Sequence, residues 1–191
     1  MKKENILFIV VALIVGLLVG IIVGNKGGGS SSVSTQAPPQ ASAPVQNHDQ
    51  KIKMLNEVVA KEPENRTAWV QLGNSYFDSN QFLQAVEAYD KALELDGNDP
   101  NVLTDQGVMF RKLGWYDRAV ANFEKAIQIN PNHTQSMYNL GIVYRYDLND
   151  FPAAIEVWEK FLQLVPAGPS TSNIEKEIAF MKAHPQGIGA Q

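Results

Sequence analysis

Arg111 and Arg145 stand 34 residues apart. A guanidinium is the side chain best shaped to grip a carboxylate through two parallel N–H···O bonds, so a pair at a fixed spacing suits an acidic ligand. The other groups that could do chemistry are scattered. His48, His133 and His184 each lack a second ligand three or four residues away, which argues against a zinc site. The chain has no cysteine, which excludes a disulfide framework, a thiolate metal site and a cysteine nucleophile. The run Gly27-Gly28-Gly29-Ser30 lacks the Lys-Ser/Thr ending of a phosphate loop and opens no helix after a strand. The carboxylate pairs Glu156/Glu159 and Glu175/Glu177 read as solvated helix faces. With no nucleophile beside an evident base, the sequence predicts no enzyme, no cofactor and no metal.

The elements that must position the arginines begin well inside the chain of 191 residues. Ile6 to Gly24 is an unbroken apolar run without a charge or a side-chain hydrogen bonder, long enough to cross the roughly 30 Å of a bilayer core. A cleaved signal peptide would have a shorter apolar region and a small-residue cleavage site. Residues 1–24 are therefore expected to form an uncleaved single transmembrane anchor in contact with the lipid bilayer through residues 6–24. Lys2 and Lys3 before the span leave the N-terminus in the cytoplasm and send the remainder outward, to the periplasm of a bacterial cell. Gly16, Gly20 and Gly24 share one helix face and suggest weak self-association there. Residues 25–47 are Gly, Ser, Ala, Pro and Gln with a single charge, too poor in apolar area to offset ordering entropy. They read as a disordered tether with a reach of roughly 25–30 Å.

The remainder, from His48, carries 13 basic and 19 acidic residues, a charge of −6. An acidic surface with no basic run excludes nucleic acid as a partner. Its dominant feature is a period of 34 residues. Gly73, Gly107 and Gly141 keep that step, as do Tyr76, Phe110 and Tyr144. Ala85, Ala119 and Ala154 follow, then Tyr89, Phe123 and Trp158, the third unit being one residue longer around residues 146–149. Apolar residues at three- and four-residue steps within each unit predict two packed helices, with small residues where backbones cross and aromatics beside them. Asn65 and Asp99 are positioned as N-caps, and Pro131 and Pro166 end second helices. The units are expected at residues 66–99, 100–133 and 134–168. Residues 48–65 form an incomplete-repeat helix with Ile52, Leu55, Val58 and Val59 on one face. Residues 169–191 form a C-terminal capping helix and tail, with Ile174, Ile178 and Met181 inward.

This pattern resembles the tetratricopeptide repeat family. Trp69, Leu72, Gly73, Tyr76, Ala85, Tyr89 and Ala92 of the first unit match it closely, with Gly97 where proline is usual; the second unit departs at Leu103 and Gln106, the third at Met137 and Phe161. The resemblance implies an all-α, helical-hairpin solenoid, here preceded by the transmembrane helix and the disordered linker. It also implies a concave face, lined by the first helix of each unit, that binds segments of other proteins. By repeat phase, that peptide-binding groove would be lined by Val70, Thr104 and Tyr138, by Asn74, Val108 and Ile142, and by Phe77, Arg111 and Arg145. Family members that bind the acidic tails of cytosolic chaperones use a Lys/Asn/Arg clamp. Asn74 matches one of its places; Val70, Asp105, Gln135 and Asn139 occupy the others and do not match.

The expected function is a membrane-tethered scaffold or assembly factor for protein–protein interaction, in envelope or cytochrome c biogenesis-type assembly. Its ligand would be an extended or helical segment carrying an acidic group for the two arginines. A cytosol-facing docking or import receptor and an accessory subunit of an enzyme complex are the alternatives.

Overall fold

The computed structural model describes residues 48–185. The expected anchor, its glycine face and the linker lie outside the described residues, as does the end of the C-terminal tail. No helix among the described residues is long and apolar enough to cross a membrane.

The described chain is all-helical. Its helices are α1 (His48–Lys61), α2 (Arg66–Asp78), α3 (Phe82–Leu95), α4 (Pro100–Lys112), α5 (Tyr116–Ile129), α6 (Thr134–Ile142), α7 (Phe151–Leu164) and α8 (Pro169–Ala183), with a π turn at Val143–Asp147 continuing α6. Consecutive helices pack as neighbours down the array, and the first helices α4 and α6 also touch. This is a stack of helical hairpins, each resting on the next. The flanking helices begin at His48 and Pro169, where the flanking segments of the repeat begin, and end at Lys61 and Ala183.

The punctuation follows local chemistry. Asn65 accepts a hydrogen bond from the Ala68 N–H at 3.0 Å, Asp99 from Asn101 and Val102 at 2.9 and 3.2 Å, and Asp150 from Ala153 at 3.0 Å. Each satisfies N–H groups that the first turn of a helix leaves free. Proline follows at the tolerated first positions of α4 and α7.

Each hairpin closes on one glycine and one aromatic ring. A Cβ on Gly73 would stand 2.5 Å from Tyr89, and one on Gly107 would stand 2.6 Å from Phe123; Gly141 meets Trp158 in the same way. The rings are fully buried, so a methyl group at these glycines would have to displace an aromatic side chain from a close-packed interior. The glycine and aromatic rows of the sequence are thus the two halves of one contact repeated along the stack.

The extra residue of the third unit is absorbed between its two helices. In the first two units the turn closes through Gln81 N–H to Tyr76 C=O and Trp115 N–H to Phe110 C=O, both at 2.8 Å. Asn80 (φ 58°) and Gly114 (φ 75°) take the left-handed conformation there. In the third, Asp150 N–H reaches Tyr144 C=O at 2.8 Å, six residues back instead of five, and Leu148 N–H reaches Val143 C=O at 3.0 Å, five back where Ser79 and Leu113 reach four back to Ser75 and Met109. Asn149 (φ 54°) holds the left-handed place. Widening the last turn from α to π takes up one residue, so Trp158 still meets Gly141.

The capping helix buries Ile174, Ile178 and Met181 against the last hairpin. At the other end Leu55 and Val59 of α1 join Ala68, Leu72 and Ala88 in a separate small cluster.

Candidate peptide-binding groove

The first helices α2, α4 and α6 stand side by side. Arg66 bonds Asp99 at 2.6 Å across the first junction, and the Thr104 and Ser136 hydroxyls meet at 2.5 Å across the second. The family resemblance is what assigns this row to the concave side of the solenoid. Phe77 and Tyr138 present large apolar surfaces there, 40% and 38% exposed. Val70, Asn74, Val108, Ile142 and Arg111 are half-buried. Tyr146, one residue beyond the expected row, is 52% exposed and enlarges the apolar area at the α6 end. The repeat phase pointed to its neighbour, Arg145, because the π turn has shifted the phase.

Two of the expected groove residues are inside the molecule. Thr104 is 1% exposed: its hydroxyl donates to Pro100 C=O at 2.6 Å and also meets Ser136. His133 joins this cluster, with Nδ1 at 2.7 Å from the Ser136 hydroxyl and Nε2 at 3.0 Å from Asn101 Oδ1. Burial holds the His133 pKa below its ordinary value, against the pull of Asp99. A histidine beside a serine suggests a nucleophile pair, yet the Ser136 side chain is wholly buried. The cluster joins α4 to α6, and its two hydroxyl-bearing side chains are shut off from solvent. Among the described residues no group of acidic, His and Cys side chains could hold a metal ion.

Arg145, 9% exposed, is the other. Its Nε donates to Glu177 of α8 at 3.0 Å, and its guanidinium lies 4.7, 5.0 and 5.1 Å from the ring centres of Phe151, Tyr146 and Phe180. Arg111 is bonded through Nε and Nη2 to the two carboxylate oxygens of Asp147. The expectation of two free guanidiniums waiting for an acidic ligand is therefore corrected: each already holds a carboxylate of this chain. Asp147 stands in the widened turn and Glu177 in the capping helix, so neither partner follows the repeat.

Asp105 of α4, on this face, is half-buried, and no donor or cation among the described residues is bonded to its carboxylate. Burial, reinforced by Asp99, pushes its pKa up to about 6. Burial raises the pKa of the Tyr89 hydroxyl, and Asp105 and then Asp78 add to that, while the hydroxyl donates to Asn74 Oδ1 at 2.7 Å. Asn74, Asp78, Tyr89 and Asp105 thus gather at the α2–α4 junction. A cleft of about 350 Å³ where α5, α6 and α7 meet is floored by Ile127, Met137, Leu140 and Val157 and rimmed by Glu124 and Lys160.

The architecture has many relatives. The MamA structure from Desulfovibrio magneticus RS-1 superposes with a TM-score of 0.64 at 21% identity, over 73% of this chain and 77% of that one. The Arabidopsis OM64 TPR domain superposes at 0.57 and 20% identity, over 61% of this chain and 96% of that one. These likenesses establish the fold. In sequence, the human protein O-mannosyl-transferase TMTC1 is 30% identical over 118 residues, 60% of this chain but 13% of that protein. The photosystem I assembly protein Ycf3 of Synechococcus sp. (strain CC9605) is 27% identical over 112 residues, 50% of this chain and 65% of its own length. Residues 55–172 match the description of the cytochrome c-type biogenesis protein H TPR domain. That match covers more than half of the sequence and every helical hairpin described above, and the chain belongs to this tetratricopeptide repeat family.

Proposed function

We propose that this protein is a membrane-tethered assembly factor that takes a segment of a partner protein in the groove formed by α2, α4 and α6. A tetratricopeptide fold is an interaction scaffold. The observation that carries the finer reading is the row of partly exposed apolar side chains on aligned first helices, Phe77, Val108, Tyr138 and Ile142. Side chains spaced along neighbouring helices can each take one side chain of a docked segment. An assembly role is supported by the cytochrome c-type biogenesis description of the matching family and by the likeness to a photosystem I assembly protein. The tether is supported by the apolar run from Ile6 to Gly24, which would hold the scaffold where membrane-bound components are put together, on the periplasmic side by the charge bias of its ends.

Affinity purification of the full chain from solubilised membranes tests this reading. A partner protein should co-purify with the wild type and be lost from Val108→Glu/Ile142→Glu, while circular dichroism shows the helices retained. A partner that stays on the double variant at full yield would contradict the groove.

A further inference from the structure

The groove has an electrical character as well as an apolar one. Its arginines are already matched: Arg66 by Asp99, Arg111 by Asp147 and Arg145 by Glu177. Asp105 is a half-buried carboxylate to which none of these cations is bonded. It lies on α4 three residues before Val108, so the two side chains share a face of the helix. Asp78, at the end of α2, adds a second negative charge at the same junction, and both act on the Tyr89 hydroxyl. An unpaired carboxylate in a partly desolvated place costs stability, and a cation arriving with a ligand would remove that cost.

We propose that the groove selects a partner segment carrying lysine or arginine, with a cationic side chain placed against Asp105 and apolar side chains against Val108, Tyr138 and Ile142. This rests on the groove reading above and gives it a sign. An acidic segment, which the two arginines alone suggest, would meet internal ion pairs at Arg111 and Arg145 and repulsion at Asp105. The charge of −6 on the part of the chain from His48 onward favours approach of the same class of partner.

The test uses the full chain in detergent and two fluorescein-labelled helical peptides with an identical leucine face, one with lysines on its polar face and one with glutamates at the same places. Fluorescence anisotropy at neutral pH and near-physiological salt should show the lysine peptide binding about tenfold more tightly or better. Asp105→Asn should remove most of that preference, while Glu87→Gln on the outer helix α3 leaves it unchanged. Ile142→Glu should weaken both peptides. Equal binding of the two peptides, or a preference that survives Asp105→Asn, with Ile142→Glu still releasing them, would overturn the charge selection and leave the groove standing. Tight lysine-peptide binding that Ile142→Glu does not weaken, or no binding of either peptide, would overturn both.

Discussion

Arg145 donates to Glu177 at 3.0 Å across the gap between the π turn and the capping helix α8, and three aromatic rings close around the guanidinium. A residue that repeat phase assigns to a ligand thereby holds the end of the solenoid shut. Only 11% of the Arg145 side chain is exposed, against 33% for Glu177, so removing one partner strands a charge in a largely dry place.

Arg145→Ala should therefore destabilise the domain by about 2–4 kcal/mol, below the upper range for a fully buried pair because Glu177 reaches solvent. Urea unfolding measures the loss. Hydrogen exchange should show α8 opening before the preceding hairpins. Glu177→Gln keeps an acceptor for the Arg145 N–H and should cost less than Arg145→Ala.

Gly107→Ala should cost about 1–3 kcal/mol, because its Cβ would fall 2.6 Å from the Phe123 ring in a filled interior. Phe123→Leu in the same chain should recover part of the loss, since the smaller side chain vacates that space. Thermal unfolding of the two single variants and the double variant measures the coupling.

The period made the hairpins legible, since a glycine and an aromatic residue recurring in step are what a tight helix crossing needs. The extra residue of the third unit was legible as an insertion, but not the π turn that absorbs it, because several ways of lengthening a turn fit the same sequence. That turn explains why the groove was read only in part. It brings Asp147 to Arg111 and moves Tyr146 outward, and both depend on where one residue is inserted rather than on composition. Glu177 reaches Arg145 from α8, outside the repeat, so phase could not pair them. Thr104 occupied a groove place by phase, but the close approach of α6 and its Ser136 hydroxyl turned it inward. Asp105 stood in the sequence as a departure from the chaperone-tail clamp. Its lack of a partner needed the structure.

Asn149 should be replaceable by glycine at no cost and by valine only at about 1–2 kcal/mol, since its φ of 54° lies where a β-branched side chain is strained. Equilibrium denaturation of both variants checks this. A loss on Asn149→Gly as large as on Asn149→Val would show that the side chain, not the backbone conformation, holds the turn.

Asp105 makes stability depend on pH. Its folded pKa of about 6 lies above the ordinary 3.8, so the folded state binds the proton more tightly between those values. Stability from this group is greatest at low pH and is lost as pH rises through about 6. Asp105→Asn should accordingly be more stable than the wild type near pH 7.5, by on the order of 1 kcal/mol after discounting for solvent screening, with the gain fading toward pH 4. Asp99 with its partner Arg66 acts on Asp105, Asp78 and Tyr89 share its junction, and His133 feels the same Asp99. His133 titrates in the opposite sense, its lowered pKa destabilising the fold on acidification. The comparison of Asp105→Asn with wild type at each pH isolates the aspartate.

The direct measurement of where a partner binds is site-specific photocrosslinking in intact membranes, with a benzophenone amino acid placed singly at Val108 and Tyr138 in the groove or at Glu87 and Glu124 on the outer helices. The groove account predicts that the same partner is trapped from positions 108 and 138 and not from 87 and 124. Trapping from the outer positions alone would contradict it and place the binding surface on the second helices of the hairpins, where Glu124 rims the cleft formed with α6 and α7.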